Sequence, residues 1–244
     1  MQRYFARIEN GQVFFSAEDR HHLCDVMRSE IGEEIEVVDR GAVYSAVISS
    51  LNPLNVNLGA LLSKASELPA SLFLAFSLLK HGNDEEVLDK GTELGVASFF
   101  PFFSSRTIIR LVGEEEKKKR QERFAKIVKA AAEQSKRTTI PSVEPLMDLA
   151  AILDVPASLK LLAYENESND VASLPAALRA LNDGESCLIV IGPEGGFSPA
   201  EASLAKARGF RFVSLGRRIL RAETAAVYAA SVFSYAIESE RGKR

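Results

Sequence analysis

The sequence predicts an α/β protein: a parallel sheet covered by helices, preceded by a smaller β-rich unit. Three observations lead there. From Ser71 onward, apolar runs of strand length alternate with helical segments, the pattern of a parallel sheet with helical crossovers. Before that, two short hairpins turn at Asn10-Gly11 and at Asp39-Arg40-Gly41, strong hairpin signals between alternating segments. Near the C-terminal end stand two glycine-bearing loops, each after an apolar strand and before a helix: Gly192-Pro193-Glu194-Gly195-Gly196 and Leu215-Gly216-Arg217-Arg218. In open α/β sheets ligands sit at the carboxyl ends of strands, where such loops lie.

Taken in order, strands are expected from Arg3 to Ile8 and from Gln12 to Phe15. Ser16 with Asp19 then offers a helix cap, and the helix runs to about Arg28. Strands at Glu34 to Val38 and Val43 to Ile48 follow, and Asn52-Pro53 breaks the pattern. The polar stretch Ser63 to Pro69 reads as a linker, which divides the chain into residues 1–69 and 70–244. Ser71 to Leu79 suits a buried parallel strand. Asn83 with Glu86 predicts a capped helix to Leu94, stopped by Gly95. Val96 to Phe103 returns as a strand, and a long helix follows from about Glu114 to Ser135. Leu159 to Tyr164 is a strand and Pro175 to Leu181 a short helix. Ser198-Pro199-Ala200-Glu201 is a capping box with proline at the first helical position. The last helix, Ala225 to Ile237, is small or apolar on nearly every face, which fits a core helix or a subunit interface.

Composition narrows the classes. With 244 residues, 46% hydrophobic, the chain buries a real core, and a net charge of −3 excludes a globally basic nucleic-acid binder while permitting a local basic face. Cys24 and Cys187 begin no metal-ligand or redox motif and read as reduced thiols. No signal segment or membrane span is evident, so a soluble cytoplasmic protein is expected, with no membrane partner. His21, His22 and His81 form no ligand spacing, and no metal site is expected.

The Gly192 loop lacks the Gly-Lys-Ser/Thr end of a P-loop and the GxGxxG of a dinucleotide fold. Glu194 and Glu223 fall in loops that end near one another, where they accept hydrogen bonds from a ligand or serve as surface charges. Arg217, Arg218 and Arg221 cluster beside the second loop and suit phosphate or an anionic transition state. In the long helix, Glu114–Lys118 and Glu115–Lys119 are expected to pair at i,i+4. Arg123, Lys126, Lys129, Lys136 and Arg137 have fewer acids beside them and are the better candidates for an RNA-facing surface.

Four segments, in order, carry a resemblance. They are Lys90-Gly91-Thr92-Glu93-Leu94-Gly95-Val96; Glu133-Gln134-Ser135-Lys136-Arg137 with Pro141; Ile191-Gly192-Pro193-Glu194-Gly195-Gly196-Phe197; and Leu215-Gly216 with Ile219-Leu220-Arg221-Ala222-Glu223-Thr224-Ala225. Together they resemble the RsmE family of bacterial 16S rRNA uridine N3-methyltransferases, over the whole chain. The resemblance implies a SPOUT-type parallel sheet with a C-terminal trefoil knot that binds S-adenosylmethionine. It further implies a small N-terminal PUA-like β-barrel that binds RNA, a homodimer, and 16S rRNA of the small ribosomal subunit as partner.

Carried over residue by residue, Ile191, Gly192, Pro193, Glu194, Gly195 and Gly196, with Leu215, Gly216, Ile219 and Leu220, wrap the cofactor. Ala163, Tyr164 and Glu165 supply a third wall, and Arg221, Glu223 and Thr224 lie towards the reacting end. Arg221 is then the candidate for stabilising charge on the uracil oxygens, and Glu223 either orients Arg221 or acts as general base. Arg106, Lys136, Arg137, Arg217 and Arg218 are the candidates for RNA. Two departures stand out. Gly91 occupies a position where the family usually has alanine, at a helix cost of about 1 kcal/mol, and Lys80-His81-Gly82-Asn83 matches the family's approach to that helix only loosely. The competing readings are methylation of another RNA position, such as a ribose 2′-hydroxyl, and a non-catalytic RNA-binding or assembly factor.

Overall fold

The computed structural model describes residues 1–62, 66–109, 113–164 and 171–239. They form two compact units, one of Met1–Glu67 with Ala132–Ile140 and one of Leu68–Ala131 with Pro141–Arg244. The first unit therefore takes a segment from the middle of the chain that a contiguous reading of residues 1–69 does not include.

In the first unit, β1 (Arg3–Phe5), β4 (Glu34–Asp39), β5 (Ala42–Leu51) and β6 (Leu54–Leu62) form one sheet in the order β1-β4-β5-β6, while β2 (Arg7–Glu9) and β3 (Gln12–Phe14) form a separate hairpin. Both expected turns are present. Asn10 and Gly11 have φ of 50° and 77°, and Arg40 and Gly41 have 49° and 82°; paired positive φ is what a tight hairpin twisting with its strands requires. Ser16 caps α1 (Ala17–His21) by accepting from Asp19 N at 3.0 Å, and a π-helical turn, His22–Val26, continues it. β6 departs from the expectation, because Asn52-Pro53 predicts a break where the chain only turns before pairing again. Its alternation of Leu54, Val56 and Leu58 with Asn55 and Asn57 is that of a strand with one covered face. Tyr4, Leu23, Ile35, Val37, Ala46 and Ile48 make the core.

Two buried ion pairs fasten residues 132–140 into this unit. Arg3 donates from Nε to Glu36 at 2.9 Å and from a terminal nitrogen to the Arg137 carbonyl at 3.1 Å, and it also bonds the Lys136 carbonyl. Arg137, only 3% exposed, donates to Glu67 at 3.1 and 2.5 Å. The other Glu67 oxygen accepts from the amides of Thr138 at 2.9 Å and Thr139 at 3.1 Å. This corrects the expectation for Arg137. A guanidinium desolvated and neutralised in this way braces the fold and is not presented to RNA. Lys136 stays half exposed, with its ammonium 3.4 Å from Glu36 and bonded to the Met1 carbonyl at 2.5 Å.

The second unit is the predicted parallel sheet. Its strands are β7 (Ser71–Ser77), β8 (Val96–Phe103), β9 (Ser142–Val143), β10 (Met147–Asp148), β11 (Leu159–Ala163), β12 (Ala172–Ser173), β13 (Ser186–Ile191) and β14 (Arg211–Ser214). The order is β10-β8-β7-β13-β11-β14-β12, with β9 also beside β8, and every pairing is parallel. β13 pairs along its whole length with β7, from Ser186 opposite Ser71 to Ile191 opposite Phe76, and with β11 on its other side. Its residues feed two apolar layers. Cys187, Ile189 and Ile191 join one core, and Leu188 and Val190 the other. Pro101 fits inside β8 because the outer pairing is interrupted there. Phe99 accepts from Glu144 at 2.8 Å on that side, so Pro101, two residues on, faces the gap between β9 and β10 and forfeits no ladder bond.

The helices are α2 (Asn83–Glu93), α3 (Glu114–Gln134), α4 (Leu149–Asp154), α5 (Leu174–Leu178), α6 (Pro199–Ala207) and α7 (Ala222–Ser239). Asn83 does not cap α2. Gly82, at φ 80°, takes the cap position, and Asp84, Glu85 and Glu86 in the first turn complement the helix dipole. On α3, Lys119 pairs with Glu115 at 2.8 Å as expected, but Glu114 turns to Lys117 at 2.7 Å. Arg120 binds the buried Asp84, and Arg123, one of the basic residues expected to meet RNA, binds Glu85 at 2.6 Å. α7 buries Ala222, Ala226, Ala229, Ala230 and Phe233, yet leaves Tyr228 and Tyr235 exposed, so it is a core helix on one side with a free apolar side opposite. Among the described residues no helix is long and apolar enough to cross a membrane.

Packing explains Gly91. A Cβ there would lie 2.7 Å from Cε1 and 2.9 Å from Cζ of Phe99, whose ring is fully buried edge-on to Phe76. Gly91→Ala is therefore expected to lower stability by about 1 kcal/mol, overpacking outweighing the gain in helix propensity. Thermal denaturation of Gly91→Ala, with and without Phe99→Leu to relieve the clash, checks this; a stabilised single variant contradicts it. A second expectation concerns Glu67. Burial raises its carboxyl, but the bonds from Arg137, Thr138 and Thr139 outweigh burial and hold it below its ordinary 4.5. A carboxyl lowered on folding contributes stability above the unfolded value that is lost as pH falls through the folded one. Glu67→Gln should thus be less stable than the parent at pH 7, with the gap narrowing below about pH 4.5 in urea denaturation series.

Candidate functional site

The carboxyl ends of β7, β8, β11, β13 and β14 all point one way, because every pairing between them is parallel. The segments leaving them enclose one cavity of about 800 Å³, a size that holds a medium-sized organic ligand. β11 ends in Ala163 and Tyr164, β13 in the loop Ile191 to Phe197, and β14 in the segment Val213 to Leu220 that leads to α7.

The first loop is shaped by close approach. Its chain turns back at Gly196, φ 66°, whose amide donates to Pro193 O at 2.8 Å. A Cβ at Gly192 would stand 2.9 Å from the Phe197 ring, and one at Gly195 would stand 3.3 Å from Arg106 Cβ. Phe197 is buried and stacks parallel to Phe102 at 6.5 Å, which anchors the loop to the sheet. The capping box is complete: Ser198 N donates to Glu201 at 2.7 Å and Glu201 N to Ser198 Oγ at 3.3 Å. In the second loop Ser214 Oγ accepts from Gly216 N at 3.1 Å, and Gly216 has φ 115°, open only to glycine without strain.

Most of the residues singled out in the sequence meet at this cavity. Ala163, Tyr164, Ile191, Gly192, Pro193, Glu194 and Gly196 line one part of it. Leu215, Ile219, Leu220, Arg221 and Glu223 line another, and Arg106 and Arg218 also reach it. Gly195 is outside the lining, and its carbonyl accepts from Arg106 at 2.8 Å. Gly216, Arg217 and Thr224 are exposed and lie outside the lining, as do Lys136 and Arg137 of the other unit; Glu165 lies outside the described residues.

Lys80 and Asn83 were missed as site residues. Lys80 N donates to Glu194 Oε1 at 3.3 Å, and both side chains line the cavity. The only signal was their place just after the first strand of the sheet. Phe197 and Val213 also join the lining.

The electrostatics are lopsided. Lys80, Arg106, Arg218 and Arg221 bring positive charge to the cavity, and none of them forms an ion pair with an acid among the described residues. Glu223 is buried to 9% exposure in the first turn of α7, where the helix dipole favours a negative charge, and no hydrogen bond joins it to Arg221. Unpaired cations around a cavity with a flat apolar wall of Tyr164, Ile191 and Leu220 suit a ligand that is part planar and apolar, next to a polyanion. Among the described residues no group of three or more His, Cys, Asp or Glu is placed to hold a metal ion.

Residues 66–234 match a family model described as an RNA methyltransferase domain, and residues 15–59 match an RNA methyltransferase PUA domain. A ribosomal RNA small subunit methyltransferase E of Bacillus subtilis is 34% identical over 99% of both chains. One of Synechocystis is 33% identical over 96% of this chain and 76% of its own. Among solved structures, a ribosomal RNA small subunit methyltransferase E from Neisseria gonorrhoeae, bound to S-adenosylmethionine, is 30% identical, with a TM-score of 0.85 over 96% of this chain and 97% of its own.

The Arg106 bond makes a prediction about the loop itself. Arg106→Ala should speed amide hydrogen exchange at Gly195 to Phe197 by about tenfold, the worth of one charged hydrogen bond, while β13 exchanges as before. Unchanged loop exchange, followed by mass spectrometry, would show that the bond does not restrain it.

Proposed function

The chain belongs to the RNA methyltransferase family, and on that premise we propose that it methylates N3 of a uridine in the 16S rRNA of the small ribosomal subunit, with S-adenosylmethionine as methyl donor. The observation that carries this reading is the convergence of three strand-end segments on one cavity edged by unpaired cations. The residues fit such a cofactor. Glycine at 192 and 195 lets the backbone come close where a side chain would crowd Phe197 and Arg106, Gly196 makes the turn at φ 66°, and Tyr164, Ile191 and Leu220 offer apolar surface to a purine.

S-adenosylmethionine, when bound, supplies an electrophilic methyl carbon on a sulfonium. The chain's own task is position and charge. Uridine N3 carries a proton and attacks poorly until that proton leaves. Once that proton leaves, negative charge spreads from N3 over O2 and O4 and must be held until N3 takes the methyl group. Arg221, on the cavity wall and without an acid partner among the described residues, is assigned that role by oriented hydrogen bonding. Glu223, buried and not bonded to Arg221, is assigned the N3 proton, directly or through one water. Arg218 and Arg106 are assigned to the RNA backbone around a base drawn out of its stack, and the PUA-type unit to further RNA contact. Lys136 and Arg217 keep a place only as peripheral phosphate contacts.

The same reading includes a cytoplasmic homodimer and a knotted C-terminal segment. The exposed Tyr228 and Tyr235 of α7, with Ile219 at 92% exposure beside the cavity, support a subunit interface next to the site. The placing of β13 between β7 and β11, and of β14 between β11 and β12, is consistent with a chain end threaded back through the sheet.

The test is transfer of labelled methyl from S-adenosylmethionine to small ribosomal subunits lacking their native uridine methylation, followed by digestion and identification of the nucleoside. Label in N3-methyluridine is the expected result, and label in any other nucleoside overturns the assigned position. Arg221→Ala should reduce turnover by about 10²–10³-fold, with the dissociation constant for S-adenosylmethionine, measured by calorimetry, little changed. Full turnover in that variant removes Arg221 from the mechanism.

A further inference from the structure

Glu201 lies outside the cavity, yet its carboxylate joins two segments that build it. Oε2 accepts from Ser198 N at 2.7 Å and Ser198 Oγ at 2.9 Å, at the start of α6 directly after the Gly192 loop. Oε1 accepts from Ser105 N at 2.7 Å, the residue before Arg106. A buried cluster of hydroxyls fixes the same turn from below. Thr107 Oγ1 accepts from Ser104 N at 2.8 Å and lies 2.7 Å from Ser77 Oγ and 3.1 Å from Ser104 Oγ. Burial raises the Glu201 carboxyl, but the bonds from Ser105 and Ser198 outweigh it and hold the group below its ordinary range, so it is ionised at neutral pH.

The choice of side chain is informative. A capping box is served by glutamine as well as by glutamate. Accepting from Ser105 N at the same time needs a second acceptor oxygen, which a carboxylate has and an amide lacks. Helix α6 alone therefore does not require an acid at 201. Arg106, held next to that bond, donates from one terminal nitrogen to Gly195 O at 2.8 Å, and its Nε and other terminal nitrogen have no protein partner among the described residues.

We infer that Glu201 is a positioning residue for methyl transfer, acting through Arg106: it locks the RNA-facing turn after β8 to the cofactor loop after β13. This rests on the proposed function, since it takes Arg106 to face RNA and the Gly192 loop to face the cofactor. This carboxylate and the Arg106–Gly195 bond beside it together hold the spacing between the two segments.

The test compares the parent, Glu201→Gln, Arg106→Ala and the double variant. Glu201→Gln keeps the capping box, so melting temperature and the dissociation constant for S-adenosylmethionine should stay near the parent's. KM for small subunits should rise about tenfold, the worth of one charge-assisted bond, and exchange at the Ser105 amide should accelerate. In the double variant KM should match that of Arg106→Ala alone, because Glu201 acts through it. Additive effects, an equal loss of cofactor affinity, or a Ser105 amide that exchanges as before each overturn the inference. Absence of methyl transfer by the parent protein would instead defeat the proposed function, and with it the purpose assigned to the brace; Ser105 exchange would still report whether the brace exists.

Discussion

Everything at the site depends on strand β13 being paired on both sides in parallel. Its run from Cys187 to Ile191 is no more than 3% exposed at any residue, and its side chains alternate between the two apolar layers that flank the sheet. Each large aliphatic side chain so buried contributes roughly 1.5–3 kcal/mol, and a slip of one residue would exchange the two layers. The register is thereby locked, and with it the point at which Gly192 emerges beside the ends of β7 and β11. Parallel pairing then brings Tyr164, the Gly192 loop and Leu215 to one end. The cavity is a consequence of strand direction before it is a consequence of any loop.

Charges sort by the same low-dielectric logic. Arg3, Arg137 and Arg120 are drawn inside and each meets an acid, Glu36, Glu67 and Asp84 respectively, because an unpaired buried charge is costly. Asp84 remains incompletely satisfied, with one oxygen unbonded, and burial raises its carboxyl against the pull of Arg120. Around the cavity the arrangement reverses. Among the described residues Lys80, Arg218 and Arg221 pair with no acid, an arrangement suited to a partner that brings phosphate.

Legibility followed locality. Strands and loops of the second unit could be read because apolar runs, glycines and the Ser198 capping box are signals within a few residues. Val96–Phe103 and the start of α3 at Glu114 are observed where expected. What depends on distant contact was not legible. Arg137 looks like a surface cation until Glu67, far off in sequence, is seen to hold it. Lys80 and Asn83 became site residues only because β7 and β13 end together. Gly91 looked like a weak helix residue, and the ring of Phe99 supplies the reason. The short strands β9 and β10 have too few residues to show a period. β6 does show one, in Leu54, Val56 and Leu58, directly after the break that Asn52-Pro53 signals.

The discontinuity of the first unit has a meaning for how the protein is made. Residues 1–67 leave the ribosome first and hold most of that unit's sheet, but Arg3 bonds the carbonyls of residues 136 and 137, and Glu67 has its guanidinium partner at 137. Until about half the chain has been synthesised, Glu67 lacks its guanidinium, and Arg3, already able to pair with Glu36, lacks its two carbonyl acceptors. The N-terminal strands therefore gain these last bonds only from a segment that follows the first two strands of the second sheet. Vectorial synthesis, which lets ordinary N-terminal domains fold ahead of the rest, gives this one only part of that head start, and a fragment cut after its last strand would keep Glu67 without its guanidinium partner.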